Sequence, residues 1–419
     1  MKNKIILFFI FLLPVLANAQ SWQPVGNGVD GTVNTLFVYD SVMYAGGSFT
    51  SPGNNIAQWN GSSWDSLRSG TNNEVYSIAN YKGLVYIGGL FTKVAGHSAG
   101  NVATWDGTNL EGFNLDEHEG VPSLHVYDSL LYIASDAYGG IALWDGKIIR
   151  PFNYGAGNYI LSMTIYNNTL CFGQLDWFQE VTAWNNVILS NLGKAFVGNN
   201  PWSNGIYALT VYKGKLVAGG NFNEVNLKNK AENLAVWGDS LWKTGQLRAN
   251  GTVYALTTYN NMLIAGGDFD SAGGVPVNNI AAWNGTSWSA FGNGFNGPIY
   301  TLAIFDSNLY AGGDFSSPGN GIVEYISSPG AVQIINNDSV NVFPNPNAGT
   351  FTVVCNRVIT IASQPVIEIY NILGEKIYSA NLLDGNTVIS LGKQAPGIYI
   401  YKISTPDGTL INPGKLVIE

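Results

Sequence analysis

The chain has 419 residues, a net charge of −9 and only 11% charged residues, against about 25% in an ordinary globular domain. Aromatic residues reach 13% and glycine occupies 51 positions, a balance that fits an all-β protein rich in turns. No basic stripe is available to neutralise phosphates, which argues against nucleic acid or an anionic membrane surface as partner.

Residues 1–19 read as a signal peptide. Lys2 and Lys4 precede an apolar run from Ile5 to Leu16, and Ala17-Asn18-Ala19 supplies the small-residue cleavage site. The run is too short to span a bilayer comfortably, and no later stretch approaches the required length.

Residues 20–327 carry an internal repeat. A short apolar run ends in a glycine pair, as in Tyr44 to Phe49 (YAGGSF) and Ile264 to Phe269 (IAGGDF), and an Asn/Gly-Φ-Ala-x-Trp run follows that closes on Asn-Gly or Asp-Gly. The anchor residues are Trp59, Trp105, Trp144, Trp184, Trp237 and Trp283, with Tyr325 in a seventh copy; their spacings are 46, 39, 40, 53, 46 and 42 residues. Each copy reads as four short strands separated by turn residues, the pattern of a propeller blade. The expectation is a seven-bladed β-propeller. A lone fourth-strand segment, Ser21 to Gly26, precedes the first copy, while the last copy lacks a fourth strand, so pairing the two ends near Ile322 to Tyr325 would close the ring. The glycine pair with a later tryptophan resembles kelch-type and galactose-oxidase-type propellers, although the Ala-x-Trp register departs from a standard kelch repeat.

Composition shifts over residues 328–339, a linker bearing Pro, Gly, Asn and Ser, and the repeat is lost. Residues 340–419 read as a small Ig-like β-sandwich, with strands at GTFTVV, VIEIYN, KIYSANL, TVISL, GIYIYKIS and KLVIE and turns at ILGE, TPDG and NPG. Val340 to Phe351 (VNVFPNPNAGTF), Ile367 to Tyr378, Ile389 to Ile403 and Gly414 to Glu419 resemble the type A C-terminal sorting domain of type IX secretion cargo in the Bacteroidetes. That resemblance implies handling by the type IX machinery and export through the periplasm to the medium or the outer cell surface.

Little in the sequence points to chemistry. Asp116, Glu117, His118 and Glu119 form the densest polar cluster, a solvated acidic loop or a cation site. His125 falls in an inner strand and His97 in a loop. Cys171 and Cys355 lie in different domains and read as buried small hydrophobes. No cofactor is expected, and G-x-S-x-G, H-E-x-x-H and C-x-x-C are absent. Asp-Ser turns at Ser41, Ser129 and Ser240 resemble a Bacteroidetes O-glycosylation pattern. Tyr154, Tyr159, Trp177, Phe178 and Trp202 fall on loops of the face where propellers usually carry function, and form the expected ligand platform. Two functions follow: a non-catalytic surface binding or adhesion module for glycan or protein, or a polysaccharide lyase or hydrolase working at the propeller axis.

Overall fold

The computed structural model describes residues 21–115, 120–135, 140–152, 159–175, 180–193, 196, 204–226, 229–238, 240–326, 340–343, 347, 349–355, 366–371, 375–382, 385–392, 394–404 and 410–419. Every regular element among them is a β-strand. They fall into two compact units, Gln20–Ile326 and a second that ends at Glu419.

Among the described residues the first unit contains seven four-stranded antiparallel sheets. Their innermost strands are Thr32–Tyr39, Val75–Tyr81, Leu124–Tyr127, Ile160–Tyr166, Gly205–Tyr212, Thr252–Tyr259 and Ile299–Phe305, and we number the sheets 1 to 7 in that order. Each innermost strand lies against that of the next sheet, and Ile299–Phe305 lies against Thr32–Tyr39, so the order is cyclic and propeller-like. Sheet 7 draws its fourth strand from the chain start: Ser21–Pro24 pairs antiparallel with Ile322–Ile326, Trp22 opposite Tyr325.

The glycine pairs have a steric cause. A Cβ on Gly46 would stand 2.4 Å from Val75 Cγ1 of the next sheet, and one on Gly47 would stand 2.0 Å from the Thr32 carbonyl oxygen. Neither glycine has a positive φ, so close approach, and not a left-handed turn, selects the residue. The Asn that opens the third strand does need the left-handed region: φ is 62° at Asn55, 63° at Asn233 and 63° at Asn279. There each side chain joins two sheets. Asn279 Oδ1 accepts from Phe269 N at 3.1 Å, and its Nδ2 donates to Phe295 O at 3.1 Å in the turn that leads to sheet 7.

Tryptophans in the fourth strands of sheets 1, 5, 6 and 7 tie each of these to the one before. Trp64 Nε1 donates to Val25 O at 2.9 Å, Trp288 Nε1 to Gln246 O at 2.9 Å, and Trp22 Nε1 to Phe291 O at 3.3 Å. Trp22 is buried among Phe291, Phe295 and Tyr325, with ring centroids 4.9–6.0 Å away. The closing strand is therefore anchored by an aromatic core as well as by its ladder.

Three two-stranded hairpins, among them Lys93–Val94 with His97–Ser98, extend from second-to-third-strand connections. His97 thus sits in a short strand and not in a loop. Cys171 is fully buried in an innermost-but-one strand, and burial pushes its thiol up to about 12, which keeps it unreactive.

The second unit has a three-stranded sheet, Val340–Phe343, Thr350–Cys355 and Gly385–Ser390, and a four-stranded sheet ordered Lys376–Asn381, Val366–Tyr370, Gly397–Ser404, Leu410–Ile418. Phe351 and Ile389 from the first sheet and Ile367, Ile369, Ile403 and Leu416 from the second share one core. The expected turn at Asn412-Pro413-Gly414 is corrected: the strand runs through it, with Pro413 opposite Lys402. Leu410–Ile418 is an edge strand, where a residue without an N–H leaves no central ladder bond unmade.

Candidate functional site

The innermost strands converge on a cavity of about 260 Å³ that takes lining residues from all seven sheets. A β-bulge recurs near the start of six of these strands, between Val33 and Thr35, Val75 and Ser77, Ile160 and Ser162, Ile206 and Ala208, Val253 and Ala255, and Ile299 and Thr301. A bulge leaves one residue out of the ladder and re-aims its side chain. The bulged residues are Asn34, Tyr76, Leu161, Tyr207, Tyr254 and Tyr300, and every one of them lines the cavity. Sheet 3 has Pro122 in the corresponding place.

One step further along each strand stand Thr35, Ser77, Ser123, Ser162, Ala208, Ala255 and Thr301. Their hydroxyls join neighbouring sheets: Ser77 Oγ donates to Val121 O at 3.1 Å, Ser162 Oγ donates to Ile206 O at 2.9 Å, and Thr301 Oγ1 accepts from Leu36 N at 3.0 Å. The last bond crosses from sheet 7 to sheet 1. Ile78, Leu124, Met163, Leu209, Leu256 and Leu302, one residue further on, complete the lining.

The wall is lopsided. Tyr207, Tyr254 and Tyr300 form an arc with successive ring centroids 5.1 Å apart and interplanar angles of 66° and 68°, the edge-to-face geometry aromatic pairs favour. Pro122 and Leu161 offer no hydroxyl on the opposite side. Burial raises the Tyr207 phenol to about 12. Burial also raises Tyr254 and Tyr300, with the carboxylates of Asp268 and Asp314 adding to the shift. Tyr76 is raised by burial first, then by its hydrogen bond to Glu74 and that residue's charge. All four phenols stay protonated near neutral pH, so they offer neutral O–H donors and aromatic faces but no nucleophile.

Two larger clefts, of about 460 and 440 Å³, lie at the seam of sheets 7 and 1. Two of their polar side chains are already engaged in turns: Asp30 Oδ1 accepts from Thr50 N at 2.7 Å and Ser51 N at 2.8 Å, and Asn296 Oδ1 accepts from Ser316 N and Ser317 N at 3.0 Å each. The axial cavity is the better candidate because it gathers side chains from all seven sheets, four tyrosines among them.

Of the platform expected from sequence, Tyr154, Trp177, Phe178 and Trp202 lie outside the described residues, as do Asp116, Glu117, His118 and Glu119. Tyr159 is 39% exposed just before the innermost strand of sheet 4. His125 lies half-buried in the innermost strand of sheet 3, and burial lowers its imidazole to about 4. Tyr76, Tyr207, Tyr254 and Tyr300 were missed by the sequence reading, although the repeated Val/Ile-Tyr dipeptide that opens four innermost strands was there to be read. Among the described residues, no group of three or more His, Cys, Asp or Glu is placed to hold a metal ion, and no helix is long and apolar enough to cross a membrane.

Solved structures share this fold. PorZ, an essential bacterial surface component of the type-IX secretion system of Porphyromonas gingivalis, aligns at 13% identity and a TM-score of 0.52, over 95% of this chain and 61% of its own. The extracellular domains of two putative hybrid two component systems of B. thetaiotaomicron align as well: BT4673 at 13% identity and TM-score 0.54 over 81% of this chain and 46% of its own, and BT3049 at 10% and 0.53 over 96% and 57%. The chain thus spans about half to three fifths of these proteins, and the likeness is one of fold alone. No curated protein sequence matches. Residues 341–419 match the family described as Secretion system C-terminal sorting domain, and this tail marks the chain as a secreted or cell-surface protein.

Proposed function

We propose that the chain is an exported, non-catalytic binding module: a seven-bladed propeller closed by its N-terminal strand, preceded by a signal peptide and followed by an Ig-like sorting domain read by the type IX machinery. The ligand enters the axial cavity and contacts the tyrosine arc. One observation carries the reading: six bulges in a repeated fold aim side chains into a single cavity, and four of those side chains are tyrosines. A bulge costs ladder bonds and a regular ring needs no tyrosine at its axis, so their recurrence points to recognition. Phenols held protonated near neutral pH supply no nucleophile, which favours binding over turnover and sets the polysaccharide-active alternative second. Trp177, Phe178, Trp202 and Tyr154 stay further candidates for the same ligand on the sequence alone, Trp202 standing three residues before the innermost strand of sheet 5.

The test is a panel of glycans and peptides titrated onto the full chain and onto a Tyr254→Ala/Tyr300→Ala variant. Binding that is lost in the variant with an unchanged melting temperature supports the reading. Turnover of a polysaccharide, or binding indifferent to both tyrosines, overturns it.

A further inference from the structure

The ligand class follows from what surrounds the tyrosine arc, and the inference rests on the binding reading above. Three carboxylates stand near enough to cavity tyrosines to act on their phenols, although none of them lines the cavity itself and Asp314 lines the seam cleft. Glu74 precedes Tyr76 by two residues and accepts its phenol hydrogen bond. Asp268 pairs in register with Thr252, two residues before Tyr254. Asp314 donates its backbone N–H to Pro298 O at 3.0 Å, two residues before Tyr300. Neither aspartate has a hydrogen-bonding task comparable to the turn-forming Asp30, and both are exposed. No lysine or arginine lines the cavity.

We propose that the axial cavity receives the cationic end of a single basic side chain, presented end-on by a protein or peptide ligand. An aromatic wall attracts a cation to its ring faces, and the carboxylates that act on those tyrosines add attraction that an anion or a neutral group would not feel. Size agrees. A volume of about 260 Å³ equals roughly eight or nine waters at about 30 Å³ each, room for one guanidinium or ammonium with its stem and not for a folded chain segment. The carboxylates lie over sheets 2, 6 and 7 and the aromatic arc over sheets 5 to 7, so the cation sits off-axis, toward Tyr254 and Tyr300.

The experiment titrates N-acetyl-arginine amide, its neutral isostere N-acetyl-citrulline amide and a neutral disaccharide onto the full chain by calorimetry or NMR. The arginine compound is expected to bind about tenfold or more tightly than the citrulline compound, and to weaken as salt rises. Asp268→Asn/Asp314→Asn should remove about tenfold of the arginine affinity and leave citrulline unaffected. Equal binding of arginine and citrulline overturns the proposal. A disaccharide that binds through Tyr254 and Tyr300 while arginine does not also overturns it, yet keeps the binding-module reading. Absence of binding by every probe to a natively melting chain overturns the cation assignment, and a negative result from the wider glycan and peptide panel would then remove the module reading separately.

Discussion

Sheets 6 and 7 and sheets 3 and 4 share one plan and diverge at the same positions. Sheets 6 and 7 keep Gly266-Gly267 and Gly312-Gly313 at the end of the second strand, where sheets 3 and 4 have Ala134-Ser135 and Gly173-Gln174. A Cβ on Gly267 would meet the Thr252 carbonyl oxygen at 2.0 Å, so a side chain there must push the innermost strand away. Sheet 3 shows the result: its innermost strand is reduced to Leu124–Tyr127, four residues against eight for Thr252–Tyr259, and it has no bulge. Sheet 4 keeps its bulge and accommodates Gln174 by burying it and donating its amide to Thr182 Oγ1 at 3.2 Å. The fourth strands diverge in parallel. Opposite the anchor residue stand Trp288 and Trp22 in sheets 6 and 7, and Ile149 and Leu189 in sheets 3 and 4, where the fourth strand offers no indole and the tie to the preceding sheet comes from the anchor itself, as when Trp144 Nε1 donates to Tyr86 Oη at 2.9 Å. The glycine pair is therefore a device for bringing strands close enough to extend the ladder to the axis, and it is kept in the four sheets whose bulged residue is tyrosine and in sheet 1, where that residue is Asn34.

Three measurements would break or sharpen that contrast. The largest effect belongs to the fourth strand. Trp22→Ala should cost about 3–5 kcal/mol in urea unfolding, since it empties an aromatic cluster and frees the closing strand, whereas Leu189→Ala should cost about 2 kcal/mol because Leu189 is only half-buried. Equal losses would mean that the closing strand is no special anchor.

Next comes the glycine pair. Gly267→Ala should destabilise by about 1–3 kcal/mol, because the obstructing atom is backbone and cannot swing aside. Gln174→Gly should stay within about 1 kcal/mol in either direction, losing one hydrogen bond and gaining room. Similar costs at the two sites would show that close approach does not distinguish the sheets.

The smallest effect is a pH response confined to sheet 3, which carries a histidine that no other sheet has in its innermost strand. Burial holds His125 at about 4, so the unfolded chain takes up a proton that the folded sheet refuses. The stability of the neutral ring is fully present above about pH 6.5 and is lost as pH falls toward 4. His125→Gln should flatten that part of the stability curve. An unchanged curve would place the acid response elsewhere.

The period and the turns were legible in the sequence because each repeat states its own local physics. Asn-Gly and Asp-Gly fix hairpins, alternating apolar runs fix strands, and recurrence at 39 to 53 residues fixes a unit that must stack on its neighbours. The N-terminal strand was readable too, because a fourth strand without a first is conspicuous in a repeat. The sorting tail was legible as ordered motifs. What local reading could not supply was the meaning of the glycine pair, which depends on a carbonyl in another strand, or the fate of Asn412-Pro413-Gly414, which is turn-like alone but lies on a sheet edge. The axial site belongs to the same class. Tyr76, Tyr207, Tyr254 and Tyr300 are separated by 131, 47 and 46 residues, and each looks like an ordinary strand tyrosine in its own repeat. Only the bulge, a mismatch between two paired strands, turns each one out of its ladder, and only cyclic order brings them to one wall, because convergence about an axis is a property of all seven sheets together.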